Sequence, residues 1–133
     1  MPTYSHVRTG QSGHVECVRV ELDASLALDD FLDKFLDEMV DTRDGDGQGA
    51  NRGFQYRPAI FFASDAQRDA ANAAVARVDA AHTVRVRPAS EFHVAEDEHQ
   101  KYYETRDLGT ASGMPLWMGS ILEDPLFDEN ALR

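Results

Sequence analysis

The stretch that decides the fold runs from Gln48 to Phe62 and reads Gln-Gly-Ala-Asn-Arg-Gly-Phe-Gln-Tyr-Arg-Pro-Ala-Ile-Phe-Phe. Its first part is punctuated by glycines, which allow positive φ angles or a close approach of backbone to a ligand. Its last four residues are apolar, as in a buried strand. The stretch therefore predicts a loop over 41–55 that leads into a strand at 57–63.

Downstream of this strand, the residue pattern changes period twice. Ser64-Asp65-Ala66-Gln67 is a capping box, so an alanine-rich helix is predicted over 65–81. Residues 83–87 then alternate, which predicts a strand with Val84 and Val86 facing inward. A short helix is expected over 95–104.

Upstream, residues 14–22 alternate as a half-buried strand does. The face predicted to pack inward carries His14, Glu16, Val18, Val20 and Leu22. Residues 26–40 switch to helical spacing, with one apolar stripe and aspartates outside it. The stripe consists of Leu28, Phe31, Leu32, Phe35, Leu36, Met39 and Val40.

The β-α-β-α-β order predicts the α/β class, as an α+β sandwich with helices packed on a sheet. The sandwich is expected to occupy residues 1–106. From residue 107 to 133 no clear periodicity remains, and this part is predicted to be an irregular C-terminal tail.

The charge balance restricts the kinds of partner. Asp and Glu number 24 against 13 Lys and Arg, which gives a formal net charge of -11. Such acidity disfavours nucleic acid and anionic membranes as partners, and an Asp-rich, Lys-poor composition suggests adaptation to high salt, as in halophiles. No apolar run approaches the roughly 20 residues that span a bilayer, and the first residues do not begin a signal peptide. The expected location is the cytoplasm.

Four segments together resemble the peptide methionine sulfoxide reductase A (MsrA) family of oxidoreductases. They are residues 2–4 (Pro-Thr-Tyr), 9–16 (Thr-Gly-Gln-Ser-Gly-His-Val-Glu), 48–57 and 95–102 (Ala-Glu-Asp-Glu-His-Gln-Lys-Tyr). The resemblance covers about residues 1–104 and implies a ferredoxin-type sheet with helices packed on it. It also implies a role in protein repair under oxidative stress. The family is further defined by a Gly-Cys-Phe-Trp segment that carries its nucleophile, and this sequence contains no such segment. The expectation is an MsrA-like chain without its first strand and helix.

Glu16 is the candidate proton donor. A carboxyl group on the apolar face of a strand is desolvated, which raises its pKa and keeps it protonated for general-acid work. The pattern alone equally allows an edge-strand glutamate or an ion pair, for instance with Arg57. The resemblance assigns Glu16 to protonation of the sulfoxide oxygen, and it assigns the hydroxyls of Tyr4 and Tyr56 to holding that oxygen.

Two further positions take their role from the resemblance. Asn51 stands where the family has a site aspartate, so it keeps an acceptor for substrate binding but loses the negative charge. His99 matches the histidine of the family's His-Gln pair, again as a substrate-binding residue, while Glu98 replaces the usual tyrosine. No ligand spacing supports a metal site, and no cofactor is expected.

Cys17 is the single cysteine of the sequence. Consecutive side chains of a strand point to opposite faces, so Cys17 should face away from a site that contains Glu16. A β-bulge would rotate it back, but nothing in the local sequence demands one.

The expected function is therefore that of a peptide-methionine (S)-S-oxide reductase that acts on or binds methionine sulfoxide, with activity impaired for want of the nucleophile. The family's reductant is thioredoxin or a dithiol. Two alternatives remain, a non-catalytic module that binds a sulfoxide or thioether, and one half of a split reductase completed by a separate fragment.

Overall fold

The structure is a computed structural model that describes residues 2–100 and the backbone of the strand 116–122. The elements in chain order are α1 (Tyr4–Arg8), β1 (His14–Val20), α2 (Leu28–Lys34) with a π-helical continuation (Phe35–Met39), β2 (Gly47–Gln48), β3 (Asn51–Arg52), a 3-10 turn (Phe54–Tyr56), β4 (Ala59–Phe62), α3 (Asp65–Arg77), β5 (Arg85–Pro88), β6 (Phe92–Val94), a second 3-10 turn (Asp97–His99) and β7 (Leu116–Leu122). Helices and small sheets are mixed along the chain, so the predicted α/β class is confirmed.

The strands of the described residues form three small sheets. β1, β7 and β6 make an antiparallel sheet with β7 in the middle. β4 and β5 pair in parallel, and β2 and β3 form a two-residue antiparallel hairpin inside the predicted loop 41–55. The described residues therefore do not form one sheet that contains all of the predicted strands.

The central strand β7 was not predicted. Residues 107–133 were expected to be irregular, yet 116–122 pair residue for residue with the whole of β1, from His14 opposite Leu122 to Val20 opposite Leu116. The expectation was wrong at this strand because the segment lacks a period-2 alternation, and its regularity comes from the backbone hydrogen bonds that β1 and β6 offer on either side. The remainder of 101–133 lies outside the described residues, and the boundary near residue 106 stays a prediction.

Helix α3 begins where the capping box predicts. The Ser64 hydroxyl accepts a hydrogen bond from the Gln67 backbone N–H at 3.2 Å, and Gln67 Oε1 accepts one from the Ala63 N–H at 2.7 Å. The helix ends at Arg77, earlier than the predicted 81, where Asp79 adopts φ 54° and the Ala80 N–H donates to the Val75 carbonyl. Helix α3 has 13 residues. No helix within the described residues has the length and apolarity that crossing a membrane would require.

The hydrophobic core lies between α2, α3 and the β4–β5 pair. Its buried members are Leu32, Leu36, Ala74, Val75, Ala80 and Val84. The stripe of the predicted helix 26–40 is confirmed at its centre, but its member Met39 is 55% exposed. The last turn is π-helical, and it leaves Met39 outside the core although Leu36 is buried and Val40 packs against the core.

The strand predicted over 14–22 is confirmed over His14–Val20, but its buried face is not the predicted one. Val15 is 2% exposed, whereas Val18 is 45% exposed. Alternation specifies that two faces differ, and which of them packs inward depends on the elements that cover it. The predicted apolar surroundings of Glu16 therefore do not come from Val18.

Candidate active site

Tyr4 connects the first helix to the segment that follows β6. Thr3 caps α1 by accepting a hydrogen bond from the His6 N–H at 3.2 Å. The Tyr4 backbone N–H donates to Glu96 Oε1 at 3.0 Å, and the Tyr4 ring stacks on the His99 ring with centroids 3.9 Å apart and an interplanar angle of 22°. The helix and the second 3-10 turn thus hold Tyr4 and His99 against each other.

Glu16 lies in the middle of β1, and the register of the sheet aligns it with position 120 of β7 and with His93 of β6. Its side chain is half-buried, and its Oε1 is buried without a hydrogen-bond partner among the described residues. Burial raises the pKa of Glu16, while the positive charges of His99 and Arg8 oppose the rise. The net direction favours the protonated acid.

Tyr56 ends the 3-10 turn that packs against β1. Burial raises the pKa of its phenol, and the negative charges of Glu16 and of ionised Tyr4 raise it further. The side-chain amide of Gln55 and the charge of Arg8 lower the pKa of Tyr56 and so act in the opposite direction. The charge of Glu16 acts on Tyr56, and Arg8 acts on both groups, so Glu16 and Tyr56 lie in one region. Tyr4 also acts on Tyr56 and stacks on His99, which acts on Glu16.

We call Tyr4, Glu16 and Tyr56 the acid–phenol cluster. The three segments that carry them are far apart in sequence and are brought together by the packing of α1 and the 3-10 turn on β1. The raised pKa of Glu16 favours the protonated acid, and a protonated carboxyl beside phenols is a set of hydrogen-bond donors. Such a set can bind and polarise a strongly basic oxygen.

Asn51 lies on β3, in the hairpin that neighbours the Phe54–Tyr56 turn, and its side chain is exposed. Its backbone pairs with Gln48. The structure therefore places Asn51 beside the turn that carries Tyr56, with its side chain exposed, and its substrate-binding role stays a prediction.

The alternative pairing of Glu16 with Arg57 is not what the structure describes. The Arg57 guanidinium lies over the Phe54 ring, 4.0 Å from its centroid, and its Nε donates to the Phe54 carbonyl at 3.3 Å. Among the described residues, the side chains that lower the pKa of Glu16 are those of His99 and Arg8.

Cys17 follows Glu16 on a strand whose pairing with β7 is one-to-one throughout, so no bulge turns the thiol toward the Glu16 side. It aligns with Gly119 of β7 and Val94 of β6. Burial, followed by the charge of Glu16, raises the pKa of Cys17 to about 12. The thiol is protonated at neutral pH.

Three histidines lie near the same sheet. The His14 and His93 rings meet edge to face with centroids 5.3 Å apart. Burial lowers the pKa of His14, and the charges of His93 and His6 lower it further. Among residues 2–100, no three or more His, Cys, Asp or Glu side chains are grouped closely enough to hold a metal ion.

Two residues that sequence reasoning missed bear on the cluster. Arg8 exerts its charge on both Glu16 and Tyr56, and Gln55 is a polar side chain that is 5% exposed. Neither residue belongs to a hydrophobic pattern that would have identified it in the sequence. Only the position of Gln55 between Gly53 and Tyr56 in the 48–57 motif pointed to it.

A shallow depression of about 500 Å³ lies elsewhere on the surface and is lined by residues 36–43 and Val78. It contains none of the side chains of the acid–phenol cluster.

The fold and the cluster define a mixed α/β protein whose half-buried acid lies beside two phenols. The family model described as peptide methionine sulfoxide reductase matches residues 1–114. The chain belongs to this family.

Curated relatives carry the same name. The peptide methionine sulfoxide reductase MsrA of Methanococcoides burtonii is 38% identical over 109 residues, which cover 77% of this chain and 71% of the relative. That of Vibrio vulnificus is 43% identical over 110 residues, covering 76% of this chain and 52% of the relative. That of Cronobacter sakazakii is 38% identical over 117 residues, covering 81% and 55%. The chain thus spans about half the length of the last two.

Proposed function

We propose that this chain binds methionine sulfoxide in peptides and donates a proton from Glu16 to the sulfoxide oxygen, which the Tyr4 and Tyr56 hydroxyls hold. The observation that carries the proposal is the state of Glu16, whose Oε1 is buried without a partner among the described residues and whose pKa is raised by burial. A protonated carboxyl needs an acceptor, and a sulfoxide oxygen is a strong one.

Reduction of the sulfoxide also needs a thiolate. A thiolate attacks the sulfoxide sulfur, the oxygen takes up a proton, and the products are a thioether and a sulfenic acid. A dithiol or thioredoxin would then reduce the sulfenic acid. Within this sequence the one thiol is Cys17, which is protonated at neutral pH and lies on the face of β1 opposite to that of Glu16.

We therefore propose that the chain by itself reduces methionine sulfoxide far more slowly than a complete reductase. Loss of a nucleophile commonly removes several orders of magnitude of rate, and polarisation of the S–O bond leaves a residual acceleration. The second candidate function is a module that binds a sulfoxide without reducing it. This function is favoured because the acid–phenol cluster is formed whereas the thiol of Cys17 is protonated.

Binding is tested by titrating the protein with a peptide containing the S epimer of methionine sulfoxide, and with the same peptide containing methionine. We expect the sulfoxide peptide to bind more tightly, and we expect Glu16→Gln and Tyr56→Phe each to weaken it. The matched control is Glu21→Gln, an exposed glutamate outside the cluster. Equal affinity for sulfoxide and thioether, or equal effects of Glu16→Gln and Glu21→Gln, would contradict the proposal.

Turnover is tested with dithiothreitol as reductant, using the unaltered chain, Cys17→Ser and Glu16→Gln. Robust turnover that disappears in Cys17→Ser would make Cys17 the nucleophile and overturn the assignment. Turnover that appears only when a separate Gly-Cys-Phe-Trp fragment is added, and that Glu16→Gln abolishes, would identify half of a split reductase. Selective binding without turnover supports the binding module.

A further inference from the structure

Gln55 is the one buried polar or charged residue of the described core. Its Nε2 donates a hydrogen bond of 2.7 Å to the backbone carbonyl of Arg8, 47 residues earlier in the chain. Arg8 is the last residue of α1, and its carbonyl has no partner within a helix that ends there. The carboxamide thus fastens the end of α1 to the 3-10 turn that contains Tyr56.

Two glycines leave room for this carboxamide. A Cβ at Gly10 would lie 2.7 Å from Gln55 Oε1, and a Cβ at Gly53 would lie 2.8 Å from it. Both glycines have positive φ, +73° and +123°, which other residues rarely adopt. The loop after α1 and the loop before the 3-10 turn therefore both close on the same side-chain oxygen.

The orientation of the amide is fixed even though one end of it is unsatisfied. Gln55 Oε1 is buried with no hydrogen-bond partner within the described part of the chain. A flip of the amide would place that oxygen against the Arg8 carbonyl, which would repel it. A buried acceptor without a partner opposes folding, so stability alone does not account for a glutamine here.

The three segments that meet at Gln55 are those that carry the acid–phenol cluster. Helix α1 begins with Tyr4, and the loop containing Gly10 leads into β1, where Glu16 is the third residue. Tyr56 directly follows Gln55. We propose that Gln55 is a positioning residue for the cluster, whose carboxamide holds α1, the 9–13 loop and the Phe54–Tyr56 turn in the arrangement that keeps Glu16 buried beside the two phenols.

The proposal deepens the proposed function and rests on it, and it makes a separate prediction about Glu16. In Gln55→Met, which keeps length but loses the amide, the Arg8 carbonyl loses its donor and the three segments can separate. Water then reaches Glu16, and its pKa should fall toward the ordinary value for a glutamate, because burial is the main cause of the rise. The pKa is measured by NMR titration of the ¹³C-labelled glutamate carboxyl groups.

Gln48→Met is the matched control. Gln48 also ties loop backbone together, since its Nε2 donates to the Asp41 and Gly47 carbonyls and its Oε1 accepts from the Asp41 N–H at 2.8 Å. It lies in the same glycine-rich loop but is not among the groups that act on the pKa of Glu16. We expect Gln48→Met to leave the Glu16 pKa unchanged.

The affinity for the sulfoxide peptide gives the second readout. A hydrogen-bond donor moved out of reach of its acceptor costs roughly tenfold in affinity, so we expect Gln55→Met to weaken binding roughly tenfold, with Gln48→Met near the unaltered chain. If Gln55→Met does not fold, Gly10→Ala displaces the carboxamide from the other side and should lower the Glu16 pKa in the same way.

An unchanged Glu16 pKa in a folded Gln55→Met or Gly10→Ala protein would overturn the positioning role, as would an equal fall in Gln48→Met. Failure of the unaltered chain to bind the sulfoxide peptide would instead count against the proposed function. The pKa comparison would then still decide whether Gln55 keeps Glu16 buried.

Discussion

Cys17 should react with an uncharged disulfide reagent such as dithiodipyridine much more slowly than a free cysteine does. Burial and the adjacent Glu16 charge raise the pKa of its thiol from 9.0 to about 12. An uncharged reagent is the appropriate one because the formal net charge of -11 would repel an anionic reagent. The chain has one cysteine, so every reacted thiol is Cys17.

The magnitude follows from the raised pKa. At pH 8 a thiol with this pKa is ionised in roughly one molecule in 10⁴, against roughly one in 10 for the ordinary value, a deficit of about a thousandfold. A more basic thiolate is intrinsically more nucleophilic, and a Brønsted slope of about 0.45 over a pKa difference of about three recovers about twentyfold. The net rate should therefore be about fiftyfold below that of a free cysteine, before any hindrance by the sheet.

The assay is stopped-flow absorbance of the released thiopyridone between pH 7 and pH 10, with the same protein in denaturant and a small cysteine peptide as references. The denatured chain should match the peptide, which separates the effect of folding from that of the local sequence. A folded-state rate at pH 7 equal to that of the peptide, or a midpoint of the pH profile below 8, would refute the reasoning. It would also restore Cys17 as a candidate nucleophile.

Three further outcomes are expected from stability measurements by denaturant unfolding. Because the folded-state pKa of Glu16 is raised, its contribution to stability is fully present below the unfolded-state value near 4.5 and is lost as pH rises through the folded-state value. The loss of unfolding free energy is at most about 1.4 kcal/mol for each pH unit between the two pKa values, and it is smaller because solvent screens this half-buried group. Glu16→Gln should flatten this pH dependence. An identical slope in both proteins would show that Glu16 is not its source. Ser64→Ala should lower the unfolding free energy by about 1 kcal/mol, because the α3 cap loses its acceptor, and no change would mean that the cap does not form in solution. Leu36→Ala should cost about 2–5 kcal/mol, whereas Met39→Ala, from the same stripe but exposed, should stay within about 0.5 kcal/mol. Equal losses of unfolding free energy in the two variants would show that Met39 is packed in the core.

The candidate site divides into a part that short motifs identify and a part that they do not. Tyr4, Glu16 and Tyr56 each stand in a segment whose residue types and spacing resemble the family's, so they could be named before the fold was known. Gln55 stands in the same kind of segment but was not singled out, because a motif does not say which polar residue becomes buried.

The sequence by itself determined the local features of this protein. The Ser64–Gln67 box starts a helix because both of its hydrogen bonds form between residues three or four apart. The stripe from Leu28 to Leu36 and the alternation over 14–20 are likewise consequences of helix and strand geometry. These interactions are satisfied within a few residues, so a pattern in the chain is enough to specify them.

Tertiary structure alone decided the features that depend on distant partners. β7 is regular because β1 and β6 hydrogen-bond it on both sides, although its own residues do not alternate. Val15 rather than Val18 is buried. Alternation distinguishes the two faces of a strand, but only the elements that cover the strand decide which face packs inward. The raised pKa of Glu16 and the burial of Gln55 arise in the same way. Both require α1, β1 and the Phe54–Tyr56 turn to exclude water together, and desolvation depends on their three-dimensional packing rather than on neighbours along the chain.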